Sequence, residues 1–452
     1  MIDKNLILET DYGQLKDFEG NARAACIDTR ILKPGEIFFA LKGENSDGHN
    51  YISAAFEKGA SLCTVNKDWY ETNRERFMGK PFWIVDDPLK ALQKLAASYR
   101  KRFDIPVIAI TGTSGKTTTR KMITETLKSA YKVHSTMGNY NNHIGMPLSL
   151  LNLNTTHQIS VMEIGTNHFG EIKFLCDILK PTHGLITNIG YGHMEFFKSK
   201  EGVAKEKGDL FKSLPSDGIA FVNLNDPFIS KMETKAKRIT YSLNSKKADF
   251  SARIVKFDEN ALPLMKINNK FELKLKMPGK FSAINALAAF AVCSSFKVNT
   301  EYIKNTLESF SGEKQRFKIF SVGNIKIIDD TYNANLDSTI SAIETLNMMK
   351  SNGKKVMVFG DMLELGEFSK KAHEIVGEKV VKSGINRLFC WGKNTIHTFR
   401  RALELGFGNS HHFDDKSELA KKLKKELSDG DIVLVKGSRG SKMEQVIEEI
   451  KG

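Results

Sequence analysis

Long apolar runs are missing from this sequence. The longest, Ala286–Cys293, falls well short of the roughly 20 residues a membrane-spanning helix needs. Cysteine is scarce, and Cys26, Cys63, Cys176, Cys293 and Cys390 never stand at metal-ligand spacing. Their odd number, with no secretion signal, argues against a disulfide framework; they read as reduced thiols, most of them small buried apolar residues. The stretch Met1–Lys16 mixes acidic, basic and apolar residues and has no apolar core beside a basic flank, so no secretory signal is read there. Internal repeats, low-complexity tracts and a localised basic stripe are also lacking. The expectation is a soluble, cytoplasmic protein with no membrane insertion.

The chain has 452 residues, which suggests about three domains. With 41% hydrophobic and 27% charged residues it has the balance of a globular protein, not a disordered one. The net charge of +14 raises nucleic acid as a partner. Yet Lys and Arg are spread along the chain and alternate with acids, as in Glu418–Glu426. That pattern is a solvated surface with a bias toward anionic substrates such as nucleotides, and no nucleic-acid partner is expected.

Three segments differ in texture. Residues 1–84 hold short apolar stretches, Glu36–Leu41 and Ser61–Val65, between polar turns, and read as a small α/β unit. Residues 85–314 open with a helical stretch, Pro88–Arg102. Buried-strand runs follow at Val107–Ile110, Ile159–Ile164 and Leu185–Ile189, the signature of a parallel sheet covered on both faces. Phe271, Leu273, Leu275 and Met277 alternate with polar residues as in a half-exposed strand, and Ala283–Ser295 is helix-prone. Residues 315–452 alternate strand-like runs (Ile325–Ile328, Lys355–Phe359, Arg387–Trp391, Asp431–Val435) with helical patterns at Ser338–Met349, Ser369–Val381 and Lys416–Leu427. This implies βαβ units and a second, Rossmann-like parallel sheet. The fold class is α/β, with a central P-loop ATPase domain flanked by the two others.

The most specific signal is Ile108–Thr119. A strand enters a glycine-permitted turn, Thr111-Gly112-Thr113-Ser114-Gly115, and a helix starts at Lys116. Backbone N–H groups at such a helix start point at phosphate oxygens and are aided by the helix dipole. Gly112, Thr113, Ser114, Gly115 and Thr118 frame the phosphates, Lys116 reaches the terminal ones, and the Thr117 hydroxyl suits Mg²⁺. The usual P-loop has a glycine five positions before Gly115, where this chain has Ile110; its first glycine is displaced to Gly112. Glu163 closes an apolar strand, where a carboxylate can hold Mg²⁺ directly or through water. An ordinary helix-start charge is the plainer alternative. His193 and Lys207 are unremarkable by composition: a polar loop residue, and one of several lysines on a helix.

The shortened loop, Gly-Thr-x-Gly-Lys-Thr, resembles that of the Mur ligase family, and the likeness runs through all three segments. It includes Asn139–Leu148, Glu163–Ile172, Asp329–Asn335, Gly360–Gly366 and Lys436–Glu444. The resemblance implies an ATP-dependent, ADP-forming amide ligase that works through an acyl phosphate. Its substrates would be UDP-N-acetylmuramoyl-tripeptide and D-alanyl-D-alanine, its product the pentapeptide precursor of peptidoglycan. It further implies two Mg²⁺ sites, with His193 at the second and Lys207 carbamylated by CO₂ into a metal ligand. Asn285 would lie near adenine, with Arg316 and Asp330 at the ribose and phosphates. Thr29, Arg30, Asp47, Gly48 and His49 match UDP-sugar turns, and Asn141, Asn142, Thr166 and Asn333 fall in the substrate motifs. Turn formation alone also accounts for Asp47-Gly48. A monomer is expected.

There are two departures from the family pattern. Phe281 and Ser282 stand where the family has His-Asn, and Leu336 stands where it has proline. No Cys–His or Ser–His arrangement offers a covalent nucleophile, which suits chemistry by positioning. Lys116, Thr117 and Glu163 argue against a non-catalytic nucleotide-binding module, and two other rival readings compete. One is a Mur-superfamily ligase with another amine or acceptor, such as a folylpolyglutamate-type enzyme. The other is a basic P-loop NTPase acting on nucleic acid.

Overall fold

The computed structural model describes residues 1–451. Three sheets organise the chain. The N-terminal sheet has five strands in the order Gln14–Lys16, Phe82–Val85, Leu62–Asn66, Ile37–Phe39, Ala25–Cys26, parallel except for the first. The central sheet has nine. Val107–Thr111 is third from one edge, flanked by Ile159–Glu163 on one side and His183–Ile186 on the other, all parallel. All five residues of Val107–Thr111 are buried, as a strand covered by helices on both faces must be. The chain leaves this strand toward one side of the sheet and later returns on the other. The loop after it therefore opens into a crevice at a topological switch point, where open α/β sheets bind ligands. The C-terminal sheet has six strands, with Lys318–Val322 antiparallel at one edge.

The helix Pro88–Arg100 begins on an Asp87 cap with proline in its first turn. Leu92 and Leu95 share one core with Phe39 and Trp83 of the N-terminal sheet and with Leu148 and Leu175 of the central domain. The helix is thus the seam between the two. Lys280–Ser295 is apolar nearly all round and is buried between the central sheet and the helix Lys116–Leu127. No helix among the described residues is long and apolar enough to cross a membrane.

Most expected elements stand within two or three residues of their sequence positions. One is displaced in an informative way. The strand expected at Leu185–Ile189 runs instead over His183–Ile186. Thr187 and Asn188 leave the sheet to bond the phosphate loop, the Thr187 hydroxyl donating to the Ser114 carbonyl at 2.7 Å. Asn188 Oδ1 accepts the Ser114 N–H at 3.0 Å. The sheet also extends through Lys237–Leu243, Phe250–Phe257 and Pro263–Ile267, whose half-exposed sequences carry little periodic signal. Leu336, lacking the ring of a proline, starts its helix on a capping box in which Asn335 and Ser338 bond reciprocally, so the turn is held by side chains.

Two histidines of the central domain are shielded from water, His134 buried and His183 half-buried. His134 bonds Ser160 Oγ at 2.8 Å and the Ser149 carbonyl at 2.9 Å, and burial pushes its pKa down to about 4. His183, against Phe221 and Phe296, is pushed down to about 4 for the same reason. Below the ordinary histidine pKa the unfolded chain takes up these protons while the folded chain does not, so stability falls as pH falls. Each contributes a loss of roughly 3 kcal/mol between about pH 6.5 and 4. A melting temperature that drops steeply over this window is expected, with a shallower slope in His134→Asn. Parallel slopes for the two proteins would refute the assignment.

Candidate active site

The phosphate loop takes its shape from two glycines. Gly115 caps the helix Lys116–Leu127 in a left-handed conformation, φ 82°. Gly112 passes so close to Thr187 that a Cβ would lie 1.9 Å from its hydroxyl. Thr113 to Thr118 line a cavity of about 550 Å³ between the central and C-terminal domains. Gly112 forms the turn behind that lining. Lys116 is half-buried and folds back to donate to the Gly112 carbonyl at 2.8 Å. Burial holds its ammonium pKa below the usual lysine range.

Glu163 reaches the same cavity from the end of its strand and is 2% exposed. Its Oε1 accepts the Thr117 hydroxyl at 3.2 Å and the Asn141 amide at 2.8 Å. His193 lines the cavity with φ 52°; its Nδ1 lies 2.6 Å from Glu364 Oε2 but out of line for a hydrogen bond. Lys207 sits behind the lining on the helix Lys200–Lys212. Burial, then the charge of Lys116, brings its amine down to about 7. Its neighbour Glu206 accepts the N–H groups of Gly170 at 2.7 Å and Ile172 at 2.8 Å and the Thr166 hydroxyl at 3.0 Å.

The C-terminal domain supplies the opposite wall. Arg316 donates to the Thr117 hydroxyl at 3.1 Å and stacks over Tyr332 at 3.8 Å. Asn335 donates to the Ser114 hydroxyl at 3.1 Å. Asp330 is held by Lys436, 1% exposed, at 2.6 Å, and Lys436 also donates to the Asn333 carbonyl at 3.1 Å. Asn285 packs on the loop itself: a Cβ on Gly115 would lie 2.9 Å from its amide. Phe281 and Ser282 line the wall beside it, the serine hydroxyl turned back onto the Met277 and Gly279 carbonyls. Asn142 Oδ1 accepts the Gly145 N–H at 2.8 Å, and Asn142, Thr166 and Asn333 all line the cavity.

The N-terminal candidates lie elsewhere, beyond the carboxyl ends of their own sheet. Arg30 is largely exposed and forks onto Asp28, whose carboxyl is lowered to about 2 mainly by that guanidinium. Thr29 accepts Lys58 through its carbonyl. Asp47 caps the turn Gly48–Tyr51, and Gly48 lies hard against the Leu41 backbone. Both nitrogens of His49 are engaged, Nδ1 with Asp47 at 2.6 Å and Nε2 with the Asn66 N–H at 3.0 Å, so this side chain shapes the turn.

Sequence reasoning missed Arg120, Lys436 and Asn335 as site residues. Arg120 stands three and four positions after Thr117 and Lys116, on the same helix face, and that spacing was the available signal. Lys436 ends a fully buried strand, where a lone lysine needs a partner.

A phosphate loop, an acid at the end of the adjacent strand and a Rossmann-like domain closing over both define a nucleotide-dependent group-transfer enzyme. Residues 110–293 match the Mur ligase middle domain, 315–439 the Mur ligase glutamate ligase domain, and 23–100 the Mur ligase family catalytic domain. The chain is 36% identical to the UDP-N-acetylmuramoyl-tripeptide–D-alanyl-D-alanine ligase of Buchnera aphidicola subsp. Baizongia pistaciae, over 94% of this chain and 91% of that one. A crystal structure of MurF from Acinetobacter baumannii superposes with TM-score 0.88 at 28% identity, covering 100% of this chain and 98% of that one. MurF from Thermotoga maritima in complex with ADP superposes at 0.81 and 26% identity, covering 95% and 97%. The chain belongs to the Mur ligase family, whose members are ATP-dependent peptide ligases.

Proposed function

We infer that this chain joins D-alanyl-D-alanine to UDP-N-acetylmuramoyl-tripeptide at the expense of ATP, releasing ADP and phosphate and giving the pentapeptide precursor of peptidoglycan. The observation that carries the reading is full-length similarity to ligases of that name, together with a phosphate loop, Glu163 and a second domain meeting in one cavity. Its place would be the cytoplasm, as a monomer serving wall synthesis, cell shape and division. Residues 1–84 would hold the UDP-sugar end through Thr29, Arg30 and the Asp47–His49 turn. Residues 85–314 would hold ATP, and 315–452 would present the dipeptide beside Asn333.

The donor set fits Mg²⁺. The Thr117 hydroxyl and the Glu163 carboxylate are adjacent and face the phosphate loop, and Mg²⁺ usually takes one or two protein oxygens with phosphates and water. Among the described residues no cluster of three His, Cys, Asp or Glu forms a closed cage, so phosphate oxygens would complete the coordination. Thr117 and Glu163 would hold one ion; His193 and a carbamate on Lys207 would hold the second. When bound, the ions neutralise charge on the transferring phosphoryl group.

A carboxylate makes no amide at useful speed because oxide is a poor leaving group. Transfer of the γ-phosphoryl group to the tripeptide carboxylate breaks the bond to ADP and forms an acyl phosphate. The free amine of the dipeptide then attacks the carbonyl carbon, its nitrogen gives up a proton to solvent, and phosphate departs from the tetrahedral adduct. Lys116 swings from the Gly112 carbonyl to the phosphates, and Arg316 covers them from the closing domain. Asn141, Asn142 and Thr166 orient the acceptor, and closure excludes water from the acyl phosphate.

The test supplies ATP, Mg²⁺ and UDP-N-acetylmuramoyl-tripeptide with either D-alanyl-D-alanine or single amino acids. Phosphate release that needs both the UDP-tripeptide and the dipeptide is expected. Release with a single amino acid instead would assign the chain to another step, and release stimulated by DNA or RNA would assign it to another class.

A further inference from the structure

Arg120 lies one turn beyond Thr117 on the helix Lys116–Leu127 and is only 3% exposed. Its guanidinium makes three contacts. Nε donates to Glu163 Oε2 at 3.3 Å, Nη1 to the Thr136 carbonyl at 2.9 Å and Nη2 to the Gly138 carbonyl at 3.0 Å. The two Glu163 oxygens are thereby divided, with Oε1 left to Thr117 and Asn141. The segment from Thr136 to Asn142 wraps around this carboxylate. Thr136 Oγ1 accepts the Glu163 N–H at 2.8 Å, and the Asn141 carbonyl accepts the Gly165 N–H at 2.7 Å.

A buried guanidinium must have its donors satisfied, and a plain structural ion pair would do that. Here two of the three bonds go to carbonyls of an irregular loop whose far end, Asn141 and Asn142, lines the cavity. The third bond goes to the carboxylate facing the phosphate loop. We propose that Arg120 is a positioning residue that fixes the acceptor-side loop 136–142 against Glu163 and keeps Oε1 turned toward Thr117. The inference rests on the acceptor role proposed for Asn141 and Asn142. A lysine keeps the charge but lacks the fork, so Arg120→Lys separates geometry from charge.

Calorimetric binding to metal-free protein and steady-state kinetics provide the test. Arg120→Lys is expected to bind ADP within about twofold of the parent, because the phosphate loop is intact. Its Kd and KM for UDP-N-acetylmuramoyl-tripeptide should rise about tenfold, the size of one or two lost charge-assisted bonds, with kcat falling less. Arg120→Met should lose more acceptor affinity; if it fails to fold, the lysine variant alone decides. Unchanged acceptor Kd in Arg120→Lys overturns the inference, whatever happens to kcat. Equal losses of ADP and acceptor binding with a lowered melting temperature also overturn it, leaving a purely structural ion pair. A parent chain that binds no UDP-tripeptide overturns the acceptor assignment, and this inference with it.

Discussion

Replacing Lys116 with alanine is expected to lower kcat about a thousandfold or more while the protein stays folded. The ammonium is held at the start of the phosphate-loop helix, where negative charge builds as the γ-phosphoryl group transfers. Removing one preorganised donor at such a point typically costs 10²–10³ in rate, and a full positive charge belongs at or above the top of that range. In the structure the lysine bonds only loop carbonyls, Gly112 at 2.8 Å and Thr113 at 3.4 Å, so its loss leaves no carboxylate orphaned. Steady-state phosphate release and a melting curve check both halves of the expectation. Substantial residual turnover in a folded variant would remove Lys116 from the reaction.

Lys207→Ala is expected to fall by a similar factor, about 4 kcal/mol in barrier height, and to regain activity when formate, acetate or propionate is supplied. The unmodified amine is buried beside Lys116, and burial favours its uncharged form. The uncharged amine is the form that adds to CO₂, the nitrogen bonding to carbon and releasing its proton, and the product would carry a carboxylate at the end of the side chain. A small carboxylate in the cavity left by the shortened side chain would restore that group. The neighbouring Lys205→Ala should keep near-parent activity, since Lys205 lies over the Phe169 ring at 5.9 Å on the outer side of the helix. Loss in Lys207→Ala without carboxylate rescue would leave the lysine important but argue against the carbamate.

Sequence patterns were legible wherever local physics dominates. Val107–Thr111 is apolar because it is covered on both faces, and Gly115-Lys116 marks the turn from strand to helix without tertiary help. The helix Ser369–Val381 stands at the bounds its sequence pattern predicts, and the one expected at Lys416–Leu427 ends one residue earlier, at Glu426. What stayed hidden depends on residues distant in the chain. Lys436 reads as an ordinary basic residue until Asp330, 106 positions away, is found beneath it. Arg120 looks like one more helix charge until strand Ile159–Glu163 brings a carboxylate within 3.3 Å. The strands Phe250–Phe257 and Pro263–Ile267 pair antiparallel across a short turn, and their mixed polar and apolar faces blur the period.

The contacts across the cavity have a thermodynamic consequence. Arg316 lands on the Thr117 hydroxyl and Asn335 on the Ser114 hydroxyl, so the C-terminal domain closes on the loop that cradles the phosphates. Nucleotide occupancy and domain position are then linked quantities. If a filled loop favours closure by some factor, closure raises nucleotide affinity by the same factor, because the coupling free energy belongs to both. Any ligand that draws the C-terminal domain inward, as the dipeptide would on the reading proposed above, would tighten nucleotide binding by that same factor.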